Sequence, residues 1–407
     1  MKRLTGLVFA LLLAACAPRG DDPLAREVGG LRGELIVPVG GGYIRNGAGT
    51  TIRLKDGRLL HLVSRHRRKA SVSADHWPAD IAVTTSRDEG RSWTRPRILF
   101  HGPGPSAVQP GLVRMKSGEL GVSYSRITDN ATADKVFRWS KDEGKTWSPP
   151  VTVCPPVRYC TSAHDRLTLL STGRLVIPLH VKVSVNPEQD ATRVAWSDDD
   201  GRSWTVSPQT VNVPVMMPGY RAPKGMAVLP SFWEASIVER KDGSLLMLGR
   251  TLAGGLYATT STDGGASWTE PVATSLLTGA SPGNVVRLPG PDGTLMVIWN
   301  RCCRSQASAQ FGRRLTLSSA VSHDGGATWT GVRDIEGIAP VGRVEYPAIL
   351  ISDGKAFITY RVLGRSLPQS GSQEYLAVLP VDWFDVDARF HQPTAAVANM
   401  TKTSSDR

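Results

Sequence analysis

The sequence lacks the features that define several large classes of protein. After residue 15 no segment offers the roughly 18 consecutive apolar residues that a membrane-spanning helix requires. The eight histidines show no metal-ligand spacing. No glycine-rich loop is followed by Lys-Ser or Lys-Thr, and no nucleophile-elbow serine motif is present. These absences argue against a membrane-spanning protein, a metal site, a P-loop nucleotide site and an α/β-hydrolase, and we expect no cofactor.

The first residues have the features of an export signal. A basic start precedes the apolar run at residues 7–15, which is too short to span a bilayer. The run ends in Leu-Ala-Ala-Cys at Cys16, which resembles the lipobox of bacterial lipoproteins; the alternative is a secretory signal with a chance cysteine. We predict a signal peptide at residues 1–15 and a lipidated tether at 16–32. The protein is then exported and lipid-anchored to a bacterial membrane, with the outer membrane or cell surface favoured.

The charge balance suggests an anionic partner. The formal net charge is +12, which suits nucleic acid, phospholipid or acidic sugar. An exported protein rarely meets nucleic acid, and no dense Lys/Arg run with interleaved aromatics is present beyond Arg65, Arg67, Arg68 and Lys69. We therefore expect an acidic glycan as partner, contact with the membrane through the lipid anchor only, and a monomer.

Four further cysteines would lie in an oxidising compartment. Cys154 and Cys160 flank the short loop CPPVRYC, and a disulfide is favoured there over a metal site because no histidine stands at ligand spacing. The adjacent Cys302 and Cys303 are either reduced or joined in a vicinal bridge.

A short motif recurs five times along the chain. The copies are SRDEGRSW, SKDEGKTW, SDDDGRSW, STDGGASW and SHDGGATW, which begin at Ser86, Ser140, Ser197, Ser261 and Ser322. In each copy the aspartate can accept backbone N–H bonds, the glycine can take a positive φ and the tryptophan can pack beneath the turn. The spacing of about 60 residues matches four strands with their loops, so each copy indicates one repeat of a larger fold.

A second pattern, out of phase with the first, consists of a turn glycine flanked by apolar strand residues. It predicts six β-hairpins, centred on Gly57, Gly118, Gly173, Gly243, Gly293 and Gly354. Together the two patterns predict an all-β fold, a six-bladed β-propeller of four-stranded antiparallel blades at residues 33–390. Residues 33–39 are expected to pair into the sheet that contains residues 356–360 and so close the ring, and residues 391–407 to form a polar tail.

The five copies of the first motif, which is called an Asp box, and their spacing resemble the sialidase superfamily over residues 33–390. This resemblance implies three arginines for a substrate carboxylate, a tyrosine nucleophile activated by a glutamate, and an aspartate that protonates the leaving oxygen. Asp boxes also occur in propellers that only bind partners, so function must be argued from the site.

The resemblance supplies candidates in the later repeats. Glu234 and Arg250 lie on either side of the Gly243 hairpin, which would bring both to the axial face. Arg314 is the further arginine, with Arg313 as its rival, and Tyr346 is the candidate nucleophile.

The first repeat departs from the family pattern. Arg45 fits the first carboxylate-binding arginine, but Asn46 and Gly47 follow it where sialidases usually have Ile-Pro. For the acid/base we favour Asp75, in a Ser/Ala-rich stretch, over Asp80, which is also interpreted as a rim or structural carboxylate.

Four more residues are possible members of a substrate rim. Arg65 either touches a substrate hydroxyl or is a solvated surface arginine. His164, Asp165 and Arg166 begin the third repeat and are either a rim cluster or a buried polar network.

The sequence therefore predicts a retaining exo-glycosidase for a terminal acidic sugar, most simply an exo-α-sialidase acting on glycoconjugates. One alternative is a hydrolase or lyase for uronic-acid glycans on the same scaffold. The other is a propeller that binds glycan or protein without catalysis, favoured if Tyr346 and Glu234 lie far apart.

Overall fold

The chain folds almost entirely into β-strands. The computed structural model describes residues 33–69, 77–102, 106–129, 132–155, 159–185, 188–213, 231–302, 314–337, 342–363 and 371–384. These residues contain 25 strands and one short 3-10 helix, Val381–Trp383. No helix among them is long and apolar enough to cross a membrane. The predicted all-β class is confirmed.

The strands form five hydrogen-bonded sheets. The largest has eight strands: β2 (Arg45–Arg53), β3 (Leu59–His66), β4 (Ala79–Ser86), β5 (Arg97–Phe100), β6 (Ser106–Arg114), β7 (Leu120–Ile127), β8 (Ala133–Ser140) and β9 (Val151–Cys154). A five-stranded sheet follows: β10 (Cys160–Thr161), β11 (Thr168–Leu169), β12 (Leu175–Val185), β13 (Glu188–Ser197) and β14 (Thr205–Val206).

Three sheets of four antiparallel strands complete the fold. Two are consecutive in the chain: β15 (Phe232–Glu239), β16 (Leu245–Thr251), β17 (Gly255–Ser261) and β18 (Val272–Leu277), then β19 (Asn284–Arg287), β20 (Leu295–Trp299), β21 (Leu317–Ser322) and β22 (Thr330–Glu336). The last combines β23 (Arg343–Ser352), β24 (Lys355–Leu363) and β25 (Gln373–Pro380) with the first strand, β1 (Glu34–Val37).

The prediction of a propeller with four-stranded antiparallel blades is confirmed, but the predicted number of six blades is not. The strands form five sheets rather than six, and only three of them have four strands. The physical reason for the largest sheet is a single parallel pair, Ala79 with Ser106, which joins β4 to β6 and merges two antiparallel meanders. The number of repeats in the sequence does not predict this bridge, because its two residues belong to neither repeated motif.

The six predicted hairpins are all present. They join β2 to β3, β6 to β7, β11 to β12, β15 to β16, β19 to β20 and β23 to β24. Each turn glycine has a positive φ, for example 86° at Gly57 and 71° at Gly354, which explains why glycine is required at these positions.

The five Asp boxes form the same side-chain-stapled turn. In the first copy the Ser86 hydroxyl accepts from the Gly90 N–H at 2.9 Å, Asp88 accepts from the Ser92 N–H at 2.9 Å, and the Trp93 indole donates to the Gly90 carbonyl at 2.9 Å. Hydrogen bonds from the Ser92 hydroxyl, the Ser92 N–H and the Ser86 hydroxyl lower the pKa of Asp88 to about 2. Equivalent bonds recur in the fifth copy at Ser322 and Asp324.

The ring is closed and cross-linked between sheets. Strand β1 pairs antiparallel with β25, so residues 33–39 contribute a strand to the sheet that contains β24, as predicted. A disulfide between Cys154 and Cys160 links the end of β9 to β10 with a Cα–Cα distance of 6.4 Å. Apolar side chains pack between neighbouring sheets, as Val194 and Phe232 do.

Candidate active site

Two β-bulges place the predicted glutamate and tyrosine. The pairing of β15 with β16 breaks at Glu234, and that of β23 with β24 breaks at Tyr346. The φ angles of these residues are 47° and 57°, values that residues other than glycine seldom adopt. A bulge re-aims side chains out of the regular alternation of a strand, and such backbone strain concentrates at functional sites.

The bulges bring Tyr346 and Glu234 into direct contact. The Tyr346 hydroxyl donates to Glu234 Oε1 at 2.9 Å, and Arg250 Nη1 donates to Glu234 Oε2 at 2.5 Å. The Arg250 guanidinium also lies over the Trp233 ring, 4.6 Å from its centroid. Phenol, carboxylate and guanidinium therefore form one chain of charge-assisted hydrogen bonds from β23 to β15 and β16.

The electrostatics of the pair assign the proton to the phenol. Burial raises the pKa of Glu234, but the charges of Arg250 and Arg314 outweigh burial and hold this pKa below its usual value. Burial raises the pKa of Tyr346, and the Glu234 carboxylate raises it further, against the opposing charges of nearby arginines. At neutral pH Glu234 is thus a carboxylate able to accept the phenol proton.

A second ionic cluster surrounds the Tyr346 ring. The Arg314 and Arg361 guanidinium carbons lie 4.7 and 4.9 Å from the ring centroid. Both arginines donate to Glu345, Arg314 Nη1 to Oε2 at 2.7 Å and Arg361 Nε to Oε1 at 2.8 Å. All three side chains are buried, and the two cations hold the pKa of Glu345 at about 2 although burial opposes this.

Glu345 and Arg361 were not predicted as site residues. A signal for the arginine was present, because five of the six hairpins carry an arginine seven or eight residues after the turn glycine: Arg65, Arg126, Arg250, Arg301 and Arg361. Of these arginines, the family resemblance assigned carboxylate binding only to Arg250. An arginine at or near the end of the second strand of a hairpin is thus a sequence signal for a candidate site residue.

Arg45 begins β2, where its backbone pairs with His66 and forms a parallel bridge with Ser372. Its side chain is buried. The convergence of Arg45, Arg250 and Arg314 on one substrate carboxylate stays a prediction.

Arg65 and Asp80 have structural partners. Arg65 Nε donates to the Asn46 side-chain carbonyl at 3.2 Å, and its Nη2 donates to the Pro38 carbonyl at 3.0 Å. Asp80 accepts from the Tyr43 hydroxyl at 2.8 Å and from Arg67 at 2.6 Å. Burial opposes ionisation of Asp80, but these hydrogen bonds hold its pKa below the ordinary value. A carboxylate held in this way is a poor proton donor, which favours the structural interpretation of Asp80.

Asp165 is the centre of a buried polar network. It accepts from the Thr50 hydroxyl at 2.8 Å, from the Asn284 amide at 2.9 Å and from the Ile349 N–H at 3.0 Å. Its own N–H donates to the Pro110 carbonyl at 3.0 Å. These contacts tie together strands from three sheets and make Asp165 a structural hub rather than a rim residue.

The neighbours of Asp165 are buried beneath the same site. The His164 ring meets the Tyr346 ring edge to face at a centroid distance of 5.6 Å, and burial holds the pKa of this imidazole well below its usual value. Arg166 donates to the Gly283 carbonyl at 2.9 Å. The buried-network alternative is therefore favoured over the rim alternative for all three residues.

Several predicted residues lie outside the part of the chain that the structure describes. These are the acid/base candidate Asp75, the rival arginine Arg313, Cys303, and the N-terminal segment with Cys16. Cys302 is a buried free thiol, and burial raises its pKa to about 12. Within the described ranges no group of three or more His, Cys, Asp or Glu side chains is placed to hold a metal ion.

The fold and the site define the class of protein as a β-propeller with two bulged strands and a hydrogen-bonded tyrosine–glutamate pair. Sequence comparison gives the family. Residues 48–358 match the family described as a BNR repeat-like domain. The chain belongs to this family, within the sialidase superfamily. It is similar to a sialidase of Bacteroides fragilis, with 26% identity over 292 residues, 62% of this chain and 48% of that protein. The chain thus spans about half the length of this relative.

Solved structures share the fold. A protein of unknown function from Dyadobacter fermentans aligns with a TM-score of 0.65 and 17% identity, over 86% of this chain and all of that chain. The intramolecular trans-sialidase of Ruminococcus gnavus aligns with a TM-score of 0.64 and 14% identity, over 87% of this chain and 98% of that chain. At these identities the likeness concerns the fold alone.

Proposed function

We propose that this protein is a retaining exo-glycosidase for a terminal acidic sugar, most simply an exo-α-sialidase. The observation that carries the proposal is the 2.9 Å hydrogen bond from the Tyr346 hydroxyl to the Glu234 carboxylate. A phenol is a weak nucleophile at neutral pH unless an adjacent base takes its proton. A neutral nucleophile also suits an anomeric carbon that bears a carboxylate, because an anionic nucleophile would be repelled.

The proposed reaction has two displacements. Glu234 accepts the phenol proton while Tyr346 Oη attacks the anomeric carbon, and the bond from that carbon to the leaving oxygen breaks. Asp75, the predicted acid, gives its proton to the leaving oxygen. Asp75 then takes a proton from water, whose oxygen displaces Tyr346 from the anomeric carbon, and Glu234 returns the proton to the phenolate.

The arginines supply the selectivity for an anionic substrate. Arg45, Arg250 and Arg314 are the proposed ligands of the sugar carboxylate, and guanidinium groups match a carboxylate in a planar, bidentate manner. The short Tyr346–Glu234 distance does not favour a purely binding propeller, which lacks a reason to pair these two groups. The uronic-acid alternative uses the same basic pocket and is separated by its products.

A screen of the purified protein against sialosides and uronic-acid glycans, with product analysis, tests the proposal. We expect free sialic acid, first released with its anomeric configuration retained. Release of an unsaturated or saturated uronic acid instead would support the alternative specificity. Binding of sialic acid without hydrolysis of any sialoside would overturn the enzymatic proposal.

We also propose export and lipid anchoring through Cys16, since the N-terminal residues resemble a lipoprotein signal. Cys16→Ala should yield a protein that leaves the membrane fraction, because the acyl chains on Cys16 are the proposed anchor. Retention of this variant on membranes in high salt would contradict the proposal. Glycans outside the cell are then the accessible substrates.

A further inference from the structure

The Tyr346 ring lies next to a cationic cluster bridged by a carboxylate. Glu345 precedes Tyr346 in the β23 bulge and accepts from both Arg314 and Arg361. Both guanidinium carbons lie within 5 Å of the Tyr346 ring centroid, at 4.7 and 4.9 Å. All three charged side chains are at most 9% exposed, so water screens their charges little.

We propose that Glu345 and Arg361 are positioning residues for Tyr346: the Glu345 carboxylate holds the two guanidinium groups over the phenol ring, and so fixes both the orientation and the charge environment of the nucleophile. This inference rests on the proposed function for its catalytic meaning. Its structural content, that Arg361 acts on the Tyr346 phenol, can be tested without turnover.

Two buried like charges that lie close together destabilise the folded state unless a counter-charge compensates them. Guanidinium groups of Arg314 and Arg361 repel each other, and only an anion between them offsets this repulsion in a buried site. Glu345 is that anion, and its two oxygens are divided between the two arginines. Removing Arg361 leaves the Arg314–Glu345 pair intact, whereas removing Glu345 strands two buried cations.

The cluster favours negative charge on the phenol oxygen. When Glu234 takes the proton, the phenolate that develops faces cations placed before the reaction, and such preorganised charges lower the cost of forming it. The Arg361 charge opposes the burial that raises the pKa of Tyr346. Among the described residues, the charged and titratable groups around the phenol, from the elements packed against it, are Glu234, Arg250, His164, Arg166, Arg314, Glu345 and Arg361.

Fluorine NMR of the full chain with difluorotyrosine at position 346 measures the ionisation of this phenol directly, because fluorination lowers the pH at which a phenol ionises into a range where proteins stay folded. We expect Arg361→Gln to raise the pH midpoint by about one unit or more, a tenfold loss of phenolate at fixed pH. In the unlabelled enzyme the same variant should lower kcat about 10- to 100-fold with little change in KM.

Arg333→Gln is the matched control. The Arg333 guanidinium lies 4.9 Å from the Trp383 ring centroid and donates to the Trp383 carbonyl, so this variant also removes a cation stacked on an aromatic ring. It should leave the Tyr346 midpoint and kcat unchanged. Glu345→Asp, which keeps the bridging charge, should retain more activity than Glu345→Gln.

The outcomes separate this inference from the proposed function. An unchanged midpoint in folded Arg361→Gln overturns the inference, whatever the enzyme does. A raised midpoint in a protein that hydrolyses no sialoside supports the positioning of the phenol and overturns the proposed function. If Arg361→Gln does not fold, Arg361→Met takes its place, because methionine is a long unbranched side chain without the charge; its midpoint should also rise, and no rise again overturns the inference.

Discussion

The Asp-box turns and the bulged strands both use polar side chains that form hydrogen bonds, but the turns stabilise the backbone and the bulges position reactive groups. In the turns a Ser and an Asp staple the backbone in five near-identical copies, illustrated by the matching bonds at Asp88 and Asp324. At the bulges in β6, β15 and β23 the residues in left-handed conformations differ from repeat to repeat: Gln109, Glu234 and Tyr346. The repeated motif therefore stabilises the fold, whereas residues that differ at equivalent bulges indicate a functional site that the molecule contains once.

The comparison also concerns the use of charge. The turn aspartates satisfy themselves locally, since their partners lie within four residues of each of them. The carboxylate at the β15 bulge finds a partner in its own sheet, Arg250, and another in a different sheet, Tyr346, over a separation of 112 residues. Local satisfaction gives stability to one turn, whereas long-range pairing assembles a reaction centre from several elements.

The largest expected effect comes from removing the nucleophile at one bulge. Tyr346→Phe should lower kcat for an aryl sialoside on the order of a thousandfold or more, because no other phenol contacts Glu234 in the described residues. KM should change little, since the arginines remain. Steady-state kinetics with the aryl sialoside measures both quantities.

Tyr375→Phe is the control for this experiment. Tyr375 lies in the same sheet, on β25, and stacks on Tyr360. It should keep wild-type kinetics. Full activity in Tyr346→Phe would show that the bulge in β23 does not position a nucleophile.

A smaller effect is expected for Arg250→Ala, about 100-fold in kcat/KM, shared between kcat and KM. Arg250 lowers the pKa of Glu234 by its charge. Without this charge the pKa of Glu234 rises, so the acidic limb of the kcat/KM profile should move to higher pH. The measurement is the pH dependence of initial rates.

Arg174→Ala is the matched variant away from the bulges. Arg174 also pairs with a carboxylate, Asp198, and stacks on a tryptophan, Trp196. Its removal should leave the pH profile in place. An equal shift in both variants would show that the effect is general and not specific to Glu234.

Much of the fold was predictable because its determinants are local. Turn glycines and Asp boxes act within a few residues, so the hairpins and turns were correctly predicted. The Ala79–Ser106 bridge that reduces the number of separate sheets involves two residues without any motif. Such long-range pairing leaves no periodic trace in a single sequence.

The site was predictable only where the family resemblance reaches. Glu234, Arg250 and Tyr346 occupy positions that the resemblance names, and the structure brings them together. Arg361 shares its repeat position with Arg250, but nothing in the sequence marks Glu345, whose burial depends on the charges of Arg314 and Arg361. The cluster therefore became visible only in three dimensions.

The smallest expected effect tests the structural half of the comparison at one Asp box. Asp88→Ala removes acceptors for the Ser92 N–H and hydroxyl, so thermal unfolding should occur at a lower temperature, while kcat and KM per folded molecule stay within about twofold of the wild type. Asp292→Ala, in the exposed turn of the Gly293 hairpin, is the control and should alter neither property.

The sign of the pH dependence follows from the pKa of Asp88, which its hydrogen bonds lower from 3.8 to about 2. A lowered pKa stabilises the folded state above pH 3.8, and this stabilisation is lost as the pH falls toward 2. The difference between wild type and Asp88→Ala should therefore shrink over that interval. A loss of kcat in the folded variant would mean that the turns and the bulges are coupled, contrary to the division of labour inferred from their bonds.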